Sequence, residues 1–283
     1  MEIRTILAGA SGGSASGGAL ELACRLAGRF GAHLEAMHVR LDIAEVVMAA
    51  GAEGLAAAAD LGWAEQTSGE VAAIAEATRV GFAAAVERNG LTLAEGAGGA
   101  AWHEETGDAA TLVARRARFF DLVVLGRSDR VIDAPHTDAI EETLIRSGRP
   151  VLLAPAEAPG AIGESIAIAW NGSAEAVRAV AGALPLLRLA KKTVVVTLGA
   201  AEGEGADELQ AYLALHGIAA TQHLVAEVAG EGPGGQLLSA ARDEGADLLV
   251  IGGYSHPPWR EMLFGGATSE IVGASRLPVL VAH

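Results

Sequence analysis

Apolar and polar positions along the chain alternate between two periods. Short runs such as "SIAIAW", "KTVVVTL", "DLLVIG" and "PVLVAH" are almost continuously apolar, and the stretches between them carry apolar residues at helical spacing. Continuous apolar runs of this length read as parallel strands covered on both faces, because a strand with one wet face would alternate. From residue 165 the pattern predicts strand "SIAIAW", the turn "NGS", a helix over 174–189, strand "KTVVVTL" and a helix around "ADELQAYLALHG". Strand "ATQHLVA", a helix at "GGQLLSAARDEG", strand "DLLVIG", a helix at "TSEIVGAS" and strand "PVLVAH" complete it. Strands alternating with helices in this way make a five-stranded doubly wound α/β unit.

The unit occurs twice. "RTILAGASGGSASGGALELACRLA" parallels "SIAIAWNGSAEAVRAVAGALPLL", and "FDLVVLGRSD" with "SGRPVLLAPA" parallels "ADLLVIGGYS" with "ASRLPVLVAH". Asp121 corresponds to Asp247, Gly126 to Gly252 and Pro150 to Pro278. The fold class is therefore α/β, with two repeated doubly wound, Rossmann-like domains, each a five-stranded parallel sheet flanked by helices. The Pro-, Gly- and Glu-rich stretch 154–164 reads as an exposed linker, which sets the domains at 1–158 and 159–283. The first copy carries a helical insertion at about 42–90. An extra helix is expected over 42–59, and Thr67 with Glu70 has the spacing of a capping box that opens a second helix running to Arg88.

Composition narrows the function. Hydrophobic residues make up 51% of the 283, enough for a sizeable core. The net charge of −15 argues against general nucleic-acid binding and against docking on an anionic membrane. A single cysteine, Cys24, excludes an intrachain disulfide, and its apolar helical setting points to a buried inert thiol. The first residues do not form a signal peptide and no apolar run reaches the length of a membrane span, so a cytoplasmic protein is expected.

Ligands of open parallel sheets lie beyond the carboxyl ends of the strands, where strand order reverses. The stretch "GGYSHPPWREMLFGGATSE", residues 252–270, falls there in the second half. Gly265 and Gly266 would let phosphate oxygens approach the backbone, and Thr268 and Ser269 add hydroxyls. Arg260 or His256 could counter the charge, and Trp259 could stack on a base. Pro257 and Pro258 work against this by removing two N–H donors. The first turn, "GASGGSASGG", lacks the Lys and Ser/Thr of a P-loop, and a helix start capped by Ser14 or Ser16 accounts for it. No catalytic constellation is evident: H-E-x-x-H, G-x-S-x-G and a Cys/His pair are all absent. His103 and His223, matched on the third strands, read as packing residues. "HEETGD", 103–108, reads as a strand end and a turn. No metal is expected other than Mg accompanying a nucleotide.

This organisation resembles the universal stress protein family in its tandem form, whose domains are adenine nucleotide alpha hydrolase-like. The resemblance covers almost the whole chain and is weakest over 42–90. In that family the first strand ends in Asp before a Gly-Ser-type turn, and nucleotide-binding members follow the fourth strand with G-x-x-G, nine residues and G-[ST]. Here Gly252 takes the first glycine position, Ser255 stands for the second, His256 to Phe264 supply the nine, and Gly265 and Gly266 follow. Asn171 stands in place of the Asp, before Gly172 and Ser173. In the first half Ser11 replaces the Asp, and Asp129, Asp133 and Asp138 would repel phosphates, so that half reads as a degenerate copy. The resemblance implies a stress-response protein that takes ATP or AMP in its second half only, through Asn171, Gly172, Ser173, Gly252, Ser255, Gly265, Gly266 and Thr268. It is not expected to be an enzyme beyond slow ATP hydrolysis. It further implies that "PVLLAP" and "PVLVAH" pair the two domains within the chain, with a homodimer left open. The alternative is a member without nucleotide, acting as an interaction scaffold or a sensor of another small molecule. A nucleotide-activating transferase would need reactive groups that the chain does not show.

Overall fold

The apolar runs read as strands in the second half all form strands, and the first half repeats them. In the computed structural model, residues 2–12, 14–42, 61–127, 134–199, 205–228, 230–253 and 276–283 are described. The first half runs β1 (Thr5–Gly9), α1 (Ser14–Phe30), β2 (His33–Arg40), α2 (Leu61–Arg88), β3 (Thr92–Leu93), β4 (Gly99–Thr106), α3 (Ala109–Ala117), β5 (Leu122–Gly126), α4 (Ala134–Arg146) and β6 (Val151–Ala154). The second runs β7 (Ser165–Ala169), α5 (Ala174–Leu187), β8 (Lys192–Leu198), α6 (Ala206–Leu215), β9 (Thr221–Val225), α7 (Pro233–Asp243), β10 (Leu248–Gly252) and β11 (Val279–Ala282). The helices expected at 42–59 and at "TSEIVGAS" lie outside the described residues.

All these strands join one 11-stranded sheet in the order β3-β4-β2-β1-β5-β6-β11-β10-β7-β8-β9. Pairing is parallel within each half and antiparallel only where β6 meets β11, with Leu152 opposite Leu280, Val151 opposite Val281 and Leu153 opposite Val279. All six side chains are fully buried. The last strands therefore pair the two halves within the chain, as the resemblance implies, and each covers an edge the other would leave bare. One sheet face is covered by α1, α2, α5 and α6, the other by α3, α4 and α7. This double cover is why Ile6, Leu7, Ala8, Val194, Val195 and Val196 are all buried, whichever way they point.

The matched acids have one job. The Asp121 carboxylate accepts the backbone N–H groups of Arg4 and Thr5, at 2.9 and 3.1 Å, at the start of β1. Asp247 does the same for Gly163, Glu164 and Ser165, at 2.7, 3.0 and 3.3 Å, at the start of β7. Each acid thus satisfies donors at the head of the first strand of its own half.

Several local details differ from expectation. Helix α2 begins at Leu61, so Thr67 and Glu70 sit inside it and not at its start. A capping-box pattern is a local signal, and the Leu-, Ala-, Glu- and Gln-containing residues before it carry enough helix propensity to extend the helix upstream. The two-residue strand β3, outside β4, was not expected. The stretch 155–164 is pinned in place: Arg25 donates to the Pro159 carbonyl and Arg29 to that of Ile162 at 2.8 Å, and Ile162 itself is buried. At Gly18 a Cβ would stand 2.1 Å from the Pro155 carbonyl oxygen, so helix α1 needs glycine to lie against this stretch.

Replacing Asp247 with Ala leaves two half-buried donors, the N–H groups of Gly163 and Ser165, and the exposed one of Glu164 without this acceptor. Asp247→Ala is expected to lower unfolding stability by about 1–3 kcal/mol, read as a lower urea midpoint. An unchanged midpoint would remove this role from the acid.

Candidate functional site

Strand order reverses between β1 and β5 in the first half and between β7 and β10 in the second. The carboxyl ends of these strands are where a ligand crevice belongs. Of the residues proposed from sequence, Asn171, Gly172, Ser173 and Gly252 are described. Ser255, Gly265, Gly266 and Thr268 lie outside the described residues, as do His256, Pro257, Pro258, Trp259, Arg260 and Ser269.

The four described residues do meet, around the first turn of α5. Asn171 accepts the Ser173 N–H through its side-chain oxygen at 3.1 Å, closing a tight turn, and Gly172 within it has φ of 72°, the left-handed region glycine favours. Ser173 is the N-cap of α5, its hydroxyl accepting the Ala176 N–H at 3.2 Å. Glu175 accepts its own backbone N–H. This hydrogen bond, with Arg178 at 3.0 Å, holds its carboxyl below the usual range against the opposing effect of burial. Two donors at the start of α5, the N–H groups of Glu175 and Ala176, are thus taken up by the chain itself.

Gly252 has a second, purely steric reason to be glycine. A Cβ there would lie 2.4 Å from the Ala176 nitrogen and 2.7 Å from the Glu175 carbonyl carbon. The end of β10 is packed directly onto the first turn of α5, which brings the two sides of the crevice together. Beside it, Gly253 donates to the Ala282 carbonyl at 2.9 Å, tying the end of β10 to the end of β11.

The equivalent crevice of the first half is nearly filled. It measures about 60 Å³ between Ala10, Ser11, Met37, Val113, Leu125 and Ile140. Small-molecule sites usually need several hundred Å³. Ser16, expected as a helix cap, instead accepts the Gly12 N–H at 2.9 Å and shares a hydrogen bond with Ser11 at 2.8 Å, which stiffens the turn. The Ser14 side chain is outside the described set. Asp138 is exposed on α4, and burial together with repulsion from Asp138 and Glu142 raises the Glu141 carboxyl above its usual range. Asp129 and Asp133 lie outside the described residues. His38 was missed by the sequence reading. It is buried, bonds the Ala10 carbonyl at the end of β1 and stacks on Trp102 at 5.8 Å.

The matched histidines occupy the same rung of the two half-sheets, His103 opposite Met37 and His223 opposite Val196. Each ring bonds a glutamate, Glu105 at 2.8 Å and Glu244 at 2.6 Å, whose other oxygen takes Arg115 or Lys192. "HEETGD" ends β4, turns at Gly107 and supplies Asp108 as the N-cap of α3. Among the described residues no group of three or more His, Cys, Asp or Glu side chains could hold a metal ion, and no helix is long and apolar enough to cross a membrane.

A larger concavity, of about 520 Å³, opens between α5 and α6. Trp170, Glu208 and Tyr212 line it together with Asn171. The sequence reading had passed over the first three. The available signals were an isolated Trp directly after β7 and a Glu–Tyr pair four residues apart on α6.

With this geometry in hand, comparison with known proteins is direct. The model of the Universal stress protein family matches residues 187–283. The resemblance read from the sequence is borne out over that stretch, which spans β8 to β11 and the glycine-spaced loop. A universal stress protein from Archaeoglobus fulgidus DSM 4304 superposes with a TM-score of 0.69 at 14% identity, covering 100% of this chain and 99% of that one. A functionally unknown protein from Pseudomonas aeruginosa PAO1 gives 0.57 at 18% identity, covering 99% of this chain and 92% of that one. At such identities the likeness is one of fold, and it extends over both halves. No curated protein matches the sequence.

Two outcomes test these local assignments. Gly252→Ala forces backbone atoms apart and is expected to cost about 1–3 kcal/mol of stability, seen in urea unfolding; a neutral effect would mean the β10–α5 contact relaxes freely. The Cys24 thiol is fully buried, and burial with the nearby Glu21 charge pushes it up to about 12. Maleimide at pH 8 is therefore expected to label Cys24 only after unfolding, and rapid labelling of the folded protein would contradict its burial.

Proposed function

We propose that the protein is a universal-stress-type binding protein that takes an adenine nucleotide, ATP or AMP, at the carboxyl ends of β7 and β10. The observation that carries this reading is the family match over 187–283, a stretch whose sequence includes Gly252, Ser255, Gly265 and Gly266, together with the reversal of strand order between β7 and β10. Asn171, Gly172 and Ser173 form one lip of that site, and Thr268 is assigned to it from the sequence spacing. The protein acts in the cytoplasm in stress response and is not an enzyme beyond slow hydrolysis. Mg enters only with the nucleotide.

A specific observation favours a second reading, a sensor of another small molecule or a scaffold. Two first-turn donors of α5, the N–H groups of Ala176 and Glu175, are already engaged by the Ser173 and Glu175 side chains, and Pro257 and Pro258 have no N–H to give. Phosphates would depend on what remains of the loop.

The test is to denature the purified protein, identify any released small molecule by mass spectrometry, and titrate ATP and AMP by calorimetry. An adenine nucleotide in the supernatant, or binding heat lost in Gly265→Trp, is the expected result. No released nucleotide and no heat at millimolar ATP or AMP would leave the second reading standing.

A further inference from the structure

The cavity between α5 and α6 has a chemistry of its own. Its floor is apolar: Trp170 is 9% exposed, Leu209 5% and Val180 2%. Its rim is not closed. Val177 is 52% exposed and Tyr212 40%, both high for large apolar side chains. At about 520 Å³ it has the size of a small-molecule site, unlike the nearly filled crevice of the first half.

Its polar groups are few and of one sign. Among the described lining residues Glu208 carries the only charge, and no Lys, Arg or His joins it. Glu208 and Tyr212 are four residues apart on α6 and so share a helix face. The Tyr212 ring is braced from behind by His216, edge-on at 4.6 Å, and His216 is in turn held by Arg188 at 3.2 Å. The guanidinium of Arg188 is thus engaged with His216 and is not among the described lining residues. An indole, a phenol ring and one carboxylate around an apolar floor disfavour a phosphate and favour a cation, since the faces of Trp and Tyr attract positive charge.

We infer that this cavity binds a small apolar organic cation, an amine or quaternary ammonium carrying a ring or short alkyl group. The apolar part lies on Trp170, Val180 and Leu209, and the ammonium sits by Glu208 and the Tyr212 ring. The site shares only Asn171 and Gly172, at one lip, with the proposed nucleotide site, and it stands or falls independently of it.

The probe is benzyltrimethylammonium, titrated by ligand-observed NMR against the full chain, with neopentylbenzene as the neutral molecule of the same shape. Saturable binding of the cation and clearly weaker binding of the neutral isostere are expected. Glu208→Gln and Tyr212→Leu should each weaken the cation roughly three- to tenfold. Val177→Trp, a change on the exposed rim, should block it, with circular dichroism confirming the fold and calorimetry showing any ATP response unchanged. Equal binding of the two isosteres, an unchanged affinity in Glu208→Gln, or no saturable binding of the cation would each overturn the inference.

Discussion

The antiparallel pairing of β6 with β11 is the contact on which the rest of the architecture depends. Each half alone would end in a short, fully apolar strand with its outer hydrogen-bonding edge bare, an invitation to aggregate. Joining the two edges buries Val151, Leu152, Leu153, Val279, Leu280 and Val281 completely and makes one sheet of two. It also sets polarity. All other pairings are parallel, so the strands of one half run opposite to those of the other. The carboxyl ends of β1 and β5 therefore face one end of the sheet, and those of β7 and β10 face the other. The two crevices cannot share a ligand, and the filling of one places no steric demand on the other.

The amino ends of the strands keep the duplication, while the carboxyl ends depart from it. Asp121 and Asp247 satisfy equivalent backbone donors with the same carboxylate geometry. At the opposite ends the copies differ in kind: Ser11 corresponds to Asn171, Ala10 to Trp170 and Arg127 to Gly253. A backbone device at a strand start is indifferent to what is bound elsewhere. Residues at strand ends set the shape of the crevice, and there Met37 and Leu125, with Ile140 of α4, fill the first while Trp170 shapes the neighbourhood of the second.

The strands were legible because a doubly covered sheet demands apolar side chains on both faces, which leaves a continuous run in the sequence. The seam was legible through the resemblance and through the matched prolines before β6 and β11. The start of α2 was not, because the Thr67–Glu70 pattern is satisfied as well inside a helix as at its head. Gly252 was read as a residue for a ligand, yet its glycine is already required by the Ala176 nitrogen 2.4 Å from where a Cβ would stand. Sequence cannot separate those two reasons, since both call for a missing side chain. The cavity between α5 and α6 was illegible for another cause. Trp170 and the Glu208–Tyr212 pair are separated by a helix and a strand, and only their packing makes them neighbours.

Charge finally distinguishes the two ligand classes. A chain of net charge −15 creates a long-range field that on balance disfavours the approach of a nucleotide and favours that of a cation. A phosphate site on such a protein must be built from short-range donors, and the start of α5 commits two of its own to Ser173 and Glu175. Nucleotide binding would therefore work against the molecule's net charge and need short-range donors beyond the two that the first turn of α5 already commits. A cation entering between α5 and α6 meets the opposite situation. The net charge, the Glu208 carboxylate and the aromatic lining would act in the same direction, so recognition there does not rest on any single well-placed group.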